Sequence, residues 1–243
     1  DYKQLLKIMI KVSVLHYNIR RQIKRFNSDY NSHISVVDLD AYINQSKVIL
    51  LENLASIVTK NRTYGNNLKS IIISDFELKP DKSNDYYTNF KLPNNHYSTL
   101  SVSAIGFKNN CKDKIFLTPI KSHKIEESLR DPKWKPSFNW RESFYNENLN
   151  YISAYHNNDF SYESLNLMYI KDIPDVANVS GAPNKVYVKS DGSTITEDKH
   201  LEIDNDSVRR KIEDLAVMLI RRDMDENYKV NLDTILFSDK AFM

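Results

Sequence analysis

All seven prolines, from Pro80 to Pro183, lie in the middle of the chain. Proline removes a backbone donor and breaks helix interiors, so long helices are confined to the two ends. The apolar residues agree. Leu5, Ile8, Val12, Leu15, Ile19, Ile23 and Phe26 recur at steps of three and four, which predicts an amphipathic helix over residues 2–26. Ser35 stands three residues before Asp38, a variant of the capping box, and opens a second helix in which Leu39, Ile43, Leu50, Leu54 and Ile57 share a face. Ile34, Val36 and Val37 can staple its entry, and residues 61–65 end it. Near the other terminus Asp206 or Ser207 can cap a helix carrying Val208, Ile212, Leu215 and Leu219, closed at 223–227.

Between these ends the pattern is that of short strands. Residues 71–73, Phe76 and Leu78 read as a buried extended segment, and alternating or β-branched runs follow at 100–107, 114–119, 149–155, 164–170 and 185–188. Asn157-Asn158-Asp159 and Ser190-Asp191-Gly192-Ser193 carry hairpin-turn chemistry. Residues 125–130 form a helical turn that Asp131-Pro132 stops. The expected fold is α+β: an N-terminal helical hairpin (1–79) and a C-terminal helix (205–227) make a small helical bundle, with an antiparallel β-rich domain (80–204) inserted between them. Residues 228–243, with Leu232, Ile235, Leu236, Phe237 and Phe242, are too apolar for a solvated end and are expected to be an extended docking tail.

With 243 residues, 41% hydrophobic and 27% charged, the chain can bury a sizeable core. A net charge of +2 disfavours a dedicated nucleic-acid or acidic-lipid binder. The single Cys111 excludes an internal disulfide and a cysteine zinc site, and suits a reducing cytosol. Four dispersed glycines offer no phosphate-cradling loop. The apolar stretch 5–15 is interrupted by Lys7 and Lys11, so neither a signal peptide nor a membrane span is expected. Residue 1 is not methionine, which points to a translation start elsewhere.

Catalytic patterns are not found. His16, His33, His96, His123, His156 and His200 lack metal-ligand spacing, and there is no nucleophile elbow. Glu126-Glu127 and the group Asp223, Asp225 and Glu226 could hold a hard cation or act as acid and base, but Arg130, Arg221 and Arg222 lie close enough to pair with them. Neither catalytic residues nor cofactors are expected.

Two segments invite a binding role. Lys7, Lys11, Arg20, Arg21, Lys24 and Arg25 make one face of the first helix basic, fit either for solvent or for a polyphosphate backbone. Residues 131–140 concentrate both tryptophans, Trp134 and Trp140, with Pro132, Pro136, Phe138 and two lysines. Stiff extended backbone with large aromatic anchors suits a docking loop, because ordering it on a partner costs less entropy. The same aromatics could instead close the core of the sheet.

The segment Ile34-Ser35-Val36-Val37-Asp38-Leu39-Asp40-Ala41-Tyr42-Ile43-Asn44-Gln45-Ser46 resembles the opening of the second helix in the head-to-tail ring or adaptor proteins of crAss-like and related Bacteroidetes tailed phages. Leu92-Pro93 followed by His96-Tyr97 is similar to their Leu-Pro-x-x-Tyr strand entry. Glu127-Ser128-Leu129-Arg130-Asp131-Pro132-Lys133-Trp134-Lys135-Pro136-Ser137 resembles their Leu-x-Asp-Pro-Phe-x-x-Pro motif. Ile212-Glu213-Asp214-Leu215-Ala216-Val217-Met218-Leu219 looks like their closing helix, with Asn227-Tyr228 at its end. The basic first helix and the stretch 179–199 depart from the pattern. The resemblance implies a non-enzymatic virion protein, repeated as a ring of about twelve copies beneath the portal. Such a subunit contacts its own copies, the portal and adjacent neck or tail rings, touches genomic DNA non-specifically, is assembled in the host bacterial cytoplasm and meets no membrane. The alternatives are a nucleic-acid module on the first helix and a metal-dependent hydrolase around Glu126 or Asp225.

Overall fold

A computed structural model describes residues 9–25, 34–60, 71–185, 187–188, 192–203 and 205–224. The fold is mixed α+β. It divides into two compact units, one made of residues 1–71 and 173–243, the other of residues 72–172. The breaks therefore fall at 71/72 and 172/173, where the sequence reading places them at 79/80 and 204/205. The first strand belongs with the sheet, and the stretch from Ile173 to Ile203 belongs with the helices.

In the terminal unit, α1 (Val12–Lys24), α2 (Val36–Lys60) and α4 (Asp206–Met224) bury the apolar positions described: Val12, Leu15, Ile19 and Ile23; Leu39, Ile43, Leu50 and Leu54; Val208, Ile212, Leu215 and Leu219. Polar pairs link them. Asn18 on α1 donates to Glu213 on α4 at 2.9 Å, and Tyr42 on α2 donates to Asp223 on α4 at 2.8 Å. Two local expectations are corrected. Residues 9–11 are not helical, because Ile10 exchanges both backbone hydrogen bonds with Leu201, 3.0 Å each, and α1 starts only after that pair. The cap of α4 is Asn205, not Asp206 or Ser207: its Oδ1 accepts from the amides of Ser207 and Val208 at 2.9 and 3.3 Å, the geometry that satisfies otherwise orphaned donors. At α2 the Ser35 hydroxyl caps the amide of Asp38 at 3.0 Å.

A polar stripe on α2 holds the chain that returns from the middle unit. Asp40, Asn44 and Lys47 lie on one helical face. Asp40 accepts from the amide of Asn178 at 2.8 Å, Asn44 both donates to the carbonyl of Val176 (3.1 Å) and accepts from its amide (2.9 Å), and Lys47 donates to the carbonyl of Ile173 (2.7 Å). Further on, β9 (Tyr187–Val188) pairs antiparallel with β10 (Thr194–Ile195).

The middle unit is one eight-stranded sheet: β1 (Ile72–Leu78), β2 (Pro80–Ser83), β3 (Tyr87–Lys91), β4 (His96–Lys108), β5 (Cys111–Pro119), β6 (Glu142–Asn148), β7 (Tyr151–Tyr155) and β8 (Ser161–Lys171), in the order β1-β8-β4-β5-β6-β7-β3-β2. All neighbours are antiparallel except β5 and β6, which run parallel. Strands β1 and β2 stand at opposite ends of this order, yet Lys79 alone separates them in sequence. Consecutive Cα atoms are about 3.8 Å apart, so the sheet must curl until its two ends meet at a seam. Side chains fill the interior, as an eight-stranded curl of this size requires, with Phe90, Ile115, Ile152, Leu165 and Tyr169 almost wholly buried. Gly106 is needed on β4, since a Cβ there would lie 2.7 Å from Ile115 Cγ1.

Turn chemistry in this unit also differs from expectation. Asn157 and Asn158 do take positive φ (47° and 56°), but they join β7 to β8, which are not sheet neighbours, so they make no hairpin. Two-residue hairpins are instead Asn109-Asn110 between β4 and β5 and Leu149-Asn150 between β6 and β7, and the first takes the pair of positive φ values (49° and 62°) that matches strand twist.

Candidate interaction surface

Parallel neighbours need a crossover, and residues 120–141 supply it between β5 and β6. The crossover contains a helical turn, α3 (Ile125–Arg130), ended where Asp131 turns extended ahead of Pro132 (φ −76°, ψ 119°). Asp131 then organises the next turn: its carboxylate accepts from the amide of Lys133 at 2.8 Å, and its carbonyl accepts from those of Trp134 and Lys135 at 3.2 and 3.0 Å. Pro136 is buried. Ser137 and Glu142 form an antiparallel bridge, and the loop between them closes on Arg141 at φ 57° with its amide donating to the carbonyl of Phe138 at 3.1 Å.

The loop is fastened from below. Phe138 packs on Phe160, ring centres 6.0 Å apart, and against the sheet core, while its amide donates to Asp159 Oδ2 at 3.0 Å. Lys108 pairs with the same carboxylate. Partial burial raises the Asp159 pKa, but the hydrogen bonds from Lys108 and the Phe138 amide and the charges of Lys108 and Lys135 outweigh it and hold the group below the ordinary carboxylate value. Asp159 belongs to the 156–160 loop, whose amide hydrogen bond to the His156 carbonyl (2.9 Å) sets its shape.

What this fastening displays is aromatic. Trp134 is 72% exposed and Trp140 80% exposed; only Phe138, and Pro136 beside it, turn inward. The core-closing reading thus fits Phe138 and not the tryptophans. Pro132 is exposed. On adjacent β5, Phe116 is 58% exposed with the Lys114 ammonium 5.9 Å from its ring centre, and Arg141 pairs with Asp113 at 2.7 Å. The signal for Phe116 in the sequence is its place between Ile115 and Leu117, both inward residues of the strand, which turns it outward. Asp159 as an anchor had no local signal, because its partners are distant in sequence.

The remaining candidate residues fall elsewhere. Lys11, Arg21, Lys24 and Arg25 are exposed on or beside α1, whereas Arg20 is partly buried and donates to the carbonyl of Ile34 at 2.9 Å. Lys7 and the tail residues Leu232, Ile235, Leu236, Phe237 and Phe242 lie outside the described residues. Glu126 meets Arg130 at 3.8 Å on the rim of a shallow polar cleft formed with His123, Glu127, Asp131 and Pro132. Among the described residues no three His, Cys, Asp or Glu side chains are grouped to hold a metal ion, and no helix is long and apolar enough to cross a membrane. No protein-family model matches the sequence, and no curated protein matches it significantly.

Proposed function

We propose that the chain is a structural subunit of a head-to-tail connector ring in a tailed-phage virion. About twelve copies would lie between portal and tail around the channel that carries genomic DNA. In this reading the protein works through interfaces, without catalysis or cofactor, and is assembled in the cytoplasm of the host bacterium. The three long helices among the described residues act as a small bundle, with α1 and α2 as its hairpin, and residues 228–243 dock on a neighbouring subunit.

The observation that supports this reading best is the crossover, where a backbone pinned by Asp131, Phe138 and Asp159 holds both tryptophans in solvent. Large aromatics on a pre-ordered backbone are what a stable protein contact uses as anchors. The sequence resemblance supplies the kind of partner. Native mass spectrometry of the chain, alone and with the portal from the same genome, tests it. A discrete complex carrying a full ring of copies is expected. Absence of any association with portal at micromolar concentration overturns the connector role.

A nucleic-acid module is the second reading, favoured by the exposure of Lys11, Arg21, Lys24 and Arg25. It requires DNA affinity that falls steeply with salt and is lost when these four are replaced by alanine.

A further inference from the structure

We propose that successive copies of this chain join through the middle unit, the basic, tryptophan-bearing crossover of one copy meeting the acidic β1–β2 seam of the next. The inference rests on the connector reading and specifies its subunit contact.

The topology carries it. Around the curled sheet, β5 and β6 are the central pair of the order and β1 and β2 its two ends, so the crossover joins strands half-way round from the seam. A surface and its complement on opposite sides of one body make a heterologous, head-to-tail contact, the kind that closes into a ring when the rotation allows.

The chemistry of the two sides is complementary. The crossover carries six cations, Lys121, Lys124, Arg130, Lys133, Lys135 and Arg141, against three anions, Glu126, Glu127 and Asp131. The seam and its turn, residues 72–86, carry Asp75, Glu77, Asp81 and Asp85 against Lys79 and Lys82. All four of those carboxylates are exposed. Each side also presents aromatic surface: Trp134 and Trp140 on the crossover, Phe76 (38% exposed) and Tyr86 (57% exposed) at the seam. The seam adds two strands, β1 and β2, each paired on one side only. Another polyanion would answer the charge of the crossover but leave the acidic seam unused. A second copy uses both.

Charge reversal tests it. One variant carries Lys124→Glu and Lys133→Glu, the other Asp81→Lys and Asp85→Lys; all four positions are exposed, and circular dichroism with thermal melting checks that both fold. Sedimentation velocity is run up to the solubility limit, and ring occupancy on the portal is read by native mass spectrometry. Each variant alone is expected to lose self-association at least tenfold, since like charges then face each other. An equimolar mixture of the two is expected to recover it, because opposite charges meet again at every junction. Folded variants that assemble singly like the wild type, or a mixture that fails to recover, overturn the interface while leaving the connector role intact if wild-type rings form on the portal. A wild-type chain that neither self-associates nor binds portal removes both.

Discussion

Asp40 shows how one side chain organises the terminal unit. It is fully buried and accepts from His16 Nε2 at 2.7 Å and from the amide of Asn178 at 2.8 Å. The Gly181 amide donates to Asn178 Oδ1 at 3.1 Å, which leaves the Asn178 amino group facing His16 Nδ1 at 3.2 Å. The imidazole proton therefore sits on Nε2 and points at Asp40. Burial, followed by the Asp40 charge, pushes the Tyr187 phenol far above its ordinary pKa. Removing the acceptor strands several donors, so Asp40→Ala should cost about 3 kcal/mol in denaturant melts. Asp38→Ala, at an exposed cap, should cost about 1 kcal/mol or less. Equal losses would mean that the network contributes nothing beyond a surface pair. In the middle unit, His156 packs edge-on to Phe160 and Tyr162, and its Nδ1 accepts from the Asn158 amide at 3.2 Å. Burial depresses its pKa, offset in part by the Tyr87 backbone and the Asp85 charge. The unfolded chain therefore binds the proton more readily, and stability should fall as pH drops below the ordinary histidine value of 6.5. Replacing His156 by Asn should flatten the melting temperature across that window; an unchanged slope would assign the acid sensitivity to other groups.

At the scale of elements, the tight contact between β4 and β5 gives a sharp test. An alanine at Gly106 would put its Cβ 2.7 Å from Ile115 Cγ1, so Gly106→Ala should cost about 1–3 kcal/mol. In an Ile115→Ala background the clash is gone and the penalty should shrink, a non-additivity that a double-mutant cycle measures. Additive losses would show that the glycine is there for its backbone alone. Elements with a strong apolar period were legible in the sequence: the buried positions of α1, α2 and α4 and the runs that became β4, β5, β7 and β8. Strands β2, β3 and β6 were not, because Pro-Asp-Lys-Ser, Tyr-Thr-Asn-Phe-Lys and Glu-Ser-Phe-Tyr-Asn-Glu-Asn lack clean alternation and owe their pairing to neighbours. The polar stripe Asp40, Asn44 and Lys47 is hidden for a different reason. It follows helical spacing, but its partners at 173–178 are distant in the chain, so the returning segment read as part of the β-rich middle. In the candidate surface, residue types and stiffness were readable from 131–140, whereas the burial of Pro136 and the anchoring role of Asp159 depend on the fold around them.

For the molecule as a whole, division into two units separates folding from display. The crossover tryptophans contribute little to the core of the middle unit, since only Phe138 of the three large aromatics packs there. Trp134→Ala should therefore shift folding stability by no more than about 0.5 kcal/mol, the range of surface substitutions. If the ring is cemented through this loop, the same change removes a central aromatic anchor and should weaken assembly by about 30-fold, the equivalent of 2 kcal/mol. Stability comes from thermal melts and assembly from the occupancy of portal complexes. The chain offers a second readout, because both of its tryptophans sit on the crossover and tryptophan emission, excited beyond the absorption of the tyrosines, reports on that surface alone. Emission should move to shorter wavelength when copies assemble, as water leaves the indoles. A folded Trp134→Ala protein that fills rings like the wild type, with no shift in the wild-type emission, would take the crossover out of the interface and leave the apolar stretch 228–243 as the segment to delete next.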